Sequence, residues 1–363
     1  MPEPDTVALR LCEASKSTSP DPLISAVALR AFRLPAWILP EPLIVVLDQT
    51  RARRFNGSGA NPNAITRFRP WCIILSMIIP IKSPNDFSFA ECLNAHGWKS
   101  LHPFAWDGAT STLERVEEFE PGNAVLLRIR ATESFVEVET DGDVDENEVV
   151  RRVLHMLQLD LAIDGFHAYC VESPQLLHIP ATRQGRMLRS PTLFEDVLKV
   201  ICTTNTTWTQ TISMVARIVD AYGTPLASDP ARKAFPTPLQ IVEDSLEEFS
   251  GKARLGYRNA SAYKIASDVA SGTLVLESLR DPDLTSHELY KRLIALPGVG
   301  PYAASCLMIY LGRYDRVNVD SWARTLVGKE LGRPVSDKEA HAFFEEYGDW
   351  KALVYHFYPW REG

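Results

Sequence analysis

Apolar and polar positions alternate over residues 125–130 and 135–139, which predicts two antiparallel strands. Gly142 and the carboxylates of Asp141, Asp143 and Asp145 then turn the chain. Over 146–159 the period changes, and Val149, Val150, Val153, Leu154 and Leu157 recur at helical spacing. From Ser190 onward the pattern is mostly helical. One helix opens at Pro191-Thr192-Leu193-Phe194-Glu195 and runs to about 203, and others fit 207–222, 239–250, 258–271, 286–294, 301–311, 321–331 and 337–346. Before residue 85 no period is sustained. Pro35, Pro40, Pro42, Pro62, Pro70, Pro80 and Pro84 interrupt every apolar run, and Asn56-Gly57-Ser58-Gly59-Ala60-Asn61-Pro62-Asn63 reads as a linker. The expected organisation is a poorly ordered extension over 1–84, an α/β domain over 85–182 and a helical domain over 183–363. The extension also fits upstream sequence with Met77 as the natural initiator. The fold class is mainly α, with a small N-terminal antiparallel α/β domain.

Composition narrows the function. A formal net charge of −8 argues against a protein that coats nucleic acid nonspecifically, while leaving room for one basic face. The six cysteines show no paired spacing, which fits reduced thiols inside a cell, in a nucleus or a bacterial cytoplasm. The apolar run 71–81 is too short to span a bilayer and contains Pro80, and no signal peptide is visible, so no membrane partner is expected. Arg51, Arg53 and Arg54 read as a solvated loop rather than a nuclear signal.

The chemistry concentrates in Leu296-Pro297-Gly298-Val299-Gly300-Pro301-Tyr302-Ala303-Ala304, with Asp320 eighteen residues after Tyr302. Two glycines one residue apart permit positive φ and close backbone approach. Pro301 suits the first position of a helix whose free amides and dipole would face an anion. Lys291, Arg292, Arg313, Arg316 and Arg324 outnumber Asp315 and Asp320 nearby, so the local surface is basic. A plain corner between two helices would use the same glycines. Asp320 and Ser321 are also natural N-caps of the next helix, a position that stabilises a carboxylate anion.

Hairpin and Asp320 together resemble the helix-hairpin-helix superfamily of DNA glycosylases, well over 190–330 and loosely over 85–165. The resemblance implies double-stranded DNA with a damaged base as partner and a monomeric enzyme of base excision repair. It implies phosphate binding by Leu296, Gly298, Val299, Gly300 and Tyr302, a monovalent cation on the loop carbonyls, and Asp320 as the catalytic carboxylate. No cysteine follows Cys306, so the iron–sulfur cluster of some members is not expected. Bifunctional members carry a lysine two residues after the second hairpin glycine; here that residue is Tyr302, which forms no imine. The expected enzyme is therefore monofunctional, with water as nucleophile and an alkylated purine as the base. Tyr302, Trp208 and Trp322 are candidates for stacking on it, although core packing explains the two tryptophans equally well. Ile201-Cys202-Thr203-Thr204-Asn205 and Leu255-Gly256-Tyr257-Arg258 resemble the elements of the 8-oxoguanine branch that fill the hole left by a flipped nucleotide and contact the orphaned base. Those roles would fall to Asn205, Tyr257 and Arg258. The alternatives are an 8-oxoguanine-type glycosylase/lyase using another lysine, Lys199 or Lys264, and a non-catalytic helix-hairpin-helix DNA-binding protein.

Overall fold

Residues 77–317, 319 and 321–360 are described by the computed structural model, and within them the alternating segments pair into one sheet. Strand β1 (Met77–Lys82) leads through α1 (Phe89–Asn94) to β2 (Phe104–Asp107), β3 (Thr112–Glu120), β4 (Asn123–Ala131) and β5 (Phe135–Thr140). The strand order is β1-β5-β4-β3-β2, and each neighbouring pair is antiparallel. Strand β1 corrects one expectation. The prolines, Pro80 among them, place residues 77–82 in the extension, yet they pair with β5 and bury Ile79 and Ile81. Proline is tolerated because β1 is an edge strand, where an outward N–H needs no partner. The rest of the expected extension, with its linker and arginine cluster, lies outside the described residues.

After α2 (Glu146–Leu157) come α3 (Asp164–Val171) and α4 (His178–Ala181), neither of which the apolar pattern predicts. The helices α5 (Leu193–Thr203) and α6 (Trp208–Tyr222) follow where expected. The helix expected over 239–250 is two, α7 (Pro238–Ile241) and α8 (Leu246–Ala253). Each has its own capping box, Thr237 with Gln240 and Ser245 with Glu248, so a second N-terminus interrupts the run. Then come α9 (Asn259–Ala270), α10 (Ser286–Ile294), α11 (Pro301–Tyr310), α12 (Ser321–Leu331), α13 (Asp337–Glu345) and α14 (Lys351–Phe357).

Packing ties the sheet to the helices. One core runs from Leu113, Leu127 and Val138 on the strands through Val153 on α2 to Val197 and Ile201 on α5 and Leu307 and Met308 on α11. A second gathers Phe166 and Cys170 of α3, Ile179 of α4 and Ile309 of α11 around Val327, Phe344 and Val354 of α12–α14. Elements before residue 183 therefore share a core with the last helices. Helix α11 is apolar along its length and, beyond its exposed first turn, contributes to both cores.

A buried charge cluster fastens β3 to α5. Arg115 of β3 makes a two-pronged contact with Glu195 (Nη1–Oε1 3.0 Å, Nη2–Oε2 2.6 Å) and reaches Glu117 through Nε at 2.5 Å. Lys199, one turn along α5, places Nζ 2.7 Å from Glu195 Oε1. All three of Arg115, Glu195 and Lys199 are 2% exposed or less.

Candidate functional site

Two buried anchors and two exposed glycines make the turn between α10 and α11. Leu296 and Val299 are buried, and Gly298 and Gly300 face solvent. The Leu296 N–H donates to the Leu293 carbonyl and the Val299 N–H to the Leu296 carbonyl, both at 3.1 Å. Gly298 adopts φ +75°, and a Cβ on it would stand 2.7 Å from Cβ of Ser261 on α9. Conformation and close approach both require glycine there. Gly300 caps α11 without a side-chain acceptor, and Pro301 takes the first helical position. The first turn of an α-helix directs its amides outward along the axis. Amides and dipole together make this terminus suited to an anion. Tyr302 sits on it, 36% exposed.

The basic face around the turn is narrower than the composition suggests. Lys291 and Arg292 are exposed on the last turn of α10. Arg313 donates to the carbonyls of Pro282 (3.2 Å) and Leu284 (3.1 Å), Arg324 pairs with Asp337 (2.6 Å), and Arg316 lies 4.0 Å over the Tyr290 ring.

A second group forms at the C-terminal end of α5. Asn205 is exposed and left-handed, with φ 44°, a region asparagine tolerates better than most residues. Its Nδ2 lies 3.4 Å from the hydroxyl of Tyr257, and Thr204 Oγ1 lies 3.3 Å from the same hydroxyl. Tyr257 is 67% exposed. The two residues expected to enter the DNA stack, 52 positions apart in sequence, are thus brought together. Arg258 departs from its expected role. It is buried, its guanidinium is turned inward onto the Thr204–Asn205 backbone, and Tyr257 covers it at 4.3 Å. In this arrangement no donor faces outward to meet an orphaned base.

Trp208 opens α6 three residues after Asn205 and is 41% exposed. Its indole packs against Gly97, where a Cβ would fall 2.1 Å from Cζ2, so glycine makes room for the ring. Beside Gly97 lies a cluster the sequence did not disclose. Trp98 Nε1–H donates to Asp196 Oδ1 at 3.0 Å, and the Tyr310 ring of α11 lies tilted 5.1 Å from Trp98 and 5.4 Å from His96. Burial holds His96 neutral, with its pKa down at about 3, and the nearby His356 adds to the effect. Burial alone takes His356 to about 4. A cavity of about 300 Å³ adjoins them, lined by Glu91, Asn94, Ala95, His178, Gln184 and His356 among others. Two single histidines on unrelated elements carry no spacing signal, which is why pattern reading passes over them.

Trp322 is 58% exposed at the start of α12, while Ala323 and Val327 take the buried side of that helix. Asp320 lies outside the described residues. Of the two candidate lysine nucleophiles, Lys199 is shut into the charge cluster, and Lys264 pairs with Asp268 one turn along α9 at 2.6 Å.

No family model matches the chain. The N-glycosylase/DNA lyase OGG1 of Arabidopsis thaliana is 28% identical over 184 residues, which cover 46% of this chain and 49% of that protein. The chain therefore spans about half the length of this relative. The apo 8-oxoguanine glycosylase/lyase of Clostridium acetobutylicum shares the fold at a TM-score of 0.62 and 18% identity, over 78% of this chain and 99% of that one. A 3-methyladenine DNA glycosylase from Archaeoglobus fulgidus does so equally, at a TM-score of 0.62 and 19% identity, over 78% and 97%. The architecture is thus that of a DNA glycosylase. The chain is similar in sequence to a DNA glycosylase/lyase and in fold to glycosylases of both the 8-oxoguanine and the 3-methyladenine kind.

Proposed function

We propose that this chain is a monofunctional DNA glycosylase that binds duplex DNA, displaces an alkylated purine from the stack and hydrolyses its bond to deoxyribose. The observation that carries the reading is Tyr302, a phenol, at the exposed start of α11, where bifunctional members place their lysine. The α10–α11 turn holds a DNA phosphate through its backbone amides, with Lys291 and Arg292 adding charge. The Leu296 carbonyl takes only the Val299 N–H among the turn hydrogen bonds, so it has a lone pair to offer a monovalent cation. Asn205 and Tyr257 fill the space the nucleotide vacates, offsetting part of the few kcal/mol that unstacking costs.

Cleavage builds positive charge on the sugar as the C1′–N bond breaks and its electron pair leaves with the base. In the proposed mechanism the Asp320 carboxylate stabilises that charge and orients water for attack on C1′. Tyr302, Trp208 and Trp322 offer electron-rich faces to an electron-poor base. His96, next to the Gly97 on which Trp208 packs, and the nearby His356 are neutral and present no positive charge to a cationic purine.

A second reading, an 8-oxoguanine-type glycosylase/lyase, is favoured by the plant relative and by the Asn205–Tyr257 pairing. Borohydride trapping separates the two. A monofunctional enzyme gives no covalent protein–DNA adduct on a lesion duplex that it cleaves to an abasic site. A trapped adduct would transfer the chain to the lyase branch and require an amine nucleophile other than the buried Lys199.

A further inference from the structure

We infer that Arg258 is a positioning residue: it holds the Thr204–Asn205 loop in the shape that aims Asn205 and Tyr257 at DNA, and does not itself read the base opposite the lesion. The inference rests on the glycosylase reading for its effect on DNA, but the strut itself is a property of the free protein.

The geometry accounts for the whole fork. Nε donates to Thr204 Oγ1 at 3.2 Å. Nη1 donates to the Leu255 carbonyl at 3.2 Å and approaches Met214 Sδ at 3.9 Å. Nη2 donates to the Thr204 carbonyl and reaches the Asn205 carbonyl at 3.4 Å. The residue is 7% exposed. Thr204 is the C-cap of α5, where carbonyls lack intrahelical partners and a positive charge is favoured by the helix dipole. Arg258, delivered from the 3₁₀ turn Gly256–Arg258, supplies both donors and charge to that terminus. Just beyond it the chain must enter the left-handed region at Asn205, with φ 44°. The guanidinium is thereby committed on one side to the loop and on the other to the Tyr257 ring, 4.3 Å away. Wedge, tyrosine and arginine form one unit. Swinging the arginine out to a base edge would strip its donors from the carbonyls of Thr204 and Asn205 and release the residues that must stay rigid.

The test uses the full chain with Arg258→Met, which keeps bulk and removes the donors, and Arg258→Lys, which restores one charged donor group. In the free protein, amide hydrogen exchange over residues 203–206 is expected to rise by about tenfold or more in Arg258→Met and to recover partly in Arg258→Lys. Exchange unchanged in Arg258→Met would overturn the strut. On duplexes carrying the lesion opposite each of the four bases, the wild-type protein is expected to vary by less than about threefold, and Arg258→Met to lose about tenfold on all four alike. A wild-type preference of about tenfold or more for one partner base, abolished in Arg258→Met, would make Arg258 a reader and contradict the inference. Should Arg258→Met fold poorly, Thr204→Val removes the hydroxyl contact to both Arg258 and Tyr257, and the same loop exchange is read. Loop release without excision of any lesion by the wild type would overturn the proposed function while leaving the strut in place.

Discussion

Asp320→Asn is expected to lower single-turnover base release by about 10³-fold or more, while affinity for lesion DNA stays within about threefold. The argument is one of charge. As the glycosidic bond stretches, the sugar carries close to a full positive charge, and a fixed anion beside it stabilises that charge more in a low-dielectric site than in bulk solvent. Asparagine keeps the shape but not the charge, and the α10–α11 turn proposed to hold the phosphate is untouched. Asp320 immediately precedes α12, whose first residue is Ser321. The assignment rests on that sequence position and on the register of eighteen residues from Tyr302. Full excision by Asp320→Asn would remove the carboxylate from the mechanism, and Asp315 would become the residue to examine.

Glu195→Ala is expected to destabilise the fold by about 3–5 kcal/mol, because it removes the anion that two buried cations share and leaves Lys199 without an ion pair. Glu195 is fully enclosed. Burial by itself would raise its pKa, yet the charges and hydrogen bonds of Arg115 and Lys199 reverse that and hold it at about 2. The carboxylate therefore contributes stability above its usual pKa near 4.5, and the contribution fades as the pH falls toward 2. After removal Arg115 retains Glu117, while Lys199 keeps the faces of Phe104 at 4.7 Å and Phe235 at 5.9 Å and the charge of Asp196, with no ion pair. A fall in the urea midpoint of unfolding with little change in slope checks this. A loss below about 1 kcal/mol would mean that water or loss of a proton from Lys199 relieves the cluster. Since the cluster joins β3 to α5, whose far end carries Thr204 and Asn205, the variant also tests whether the wedge depends on the sheet.

How legible the site was in the sequence depended on whether its signals are local. The α10–α11 turn was legible because a positive φ and a close approach both demand glycine, and Gly298 is used for both. Helix starts were legible where Ser or Thr stands three residues before Glu or Gln, as at Thr285 and Ser336; the same signal at Ser245, overlooked, splits the expected helix over 239–250. Strand β1 was hidden by Pro80, since nothing local says that a proline will fall on a sheet edge. Arg258 illustrates the limit best. Its position beside Tyr257 is legible in the sequence, but whether a guanidinium points to solvent or onto a neighbouring backbone is decided by α5, more than fifty residues earlier. His96 and His356 are further cases, joined only when α14 packs against the segment that follows α1.

The central claim is most directly tested by single-turnover excision on duplexes carrying methylated purine, ethenoadenine, hypoxanthine, uracil or 8-oxoguanine, each read with and without alkali. The account predicts an abasic product from an alkylated purine that becomes a strand break only after alkali. Breaks appearing without alkali, or excision confined to 8-oxoguanine, would contradict it.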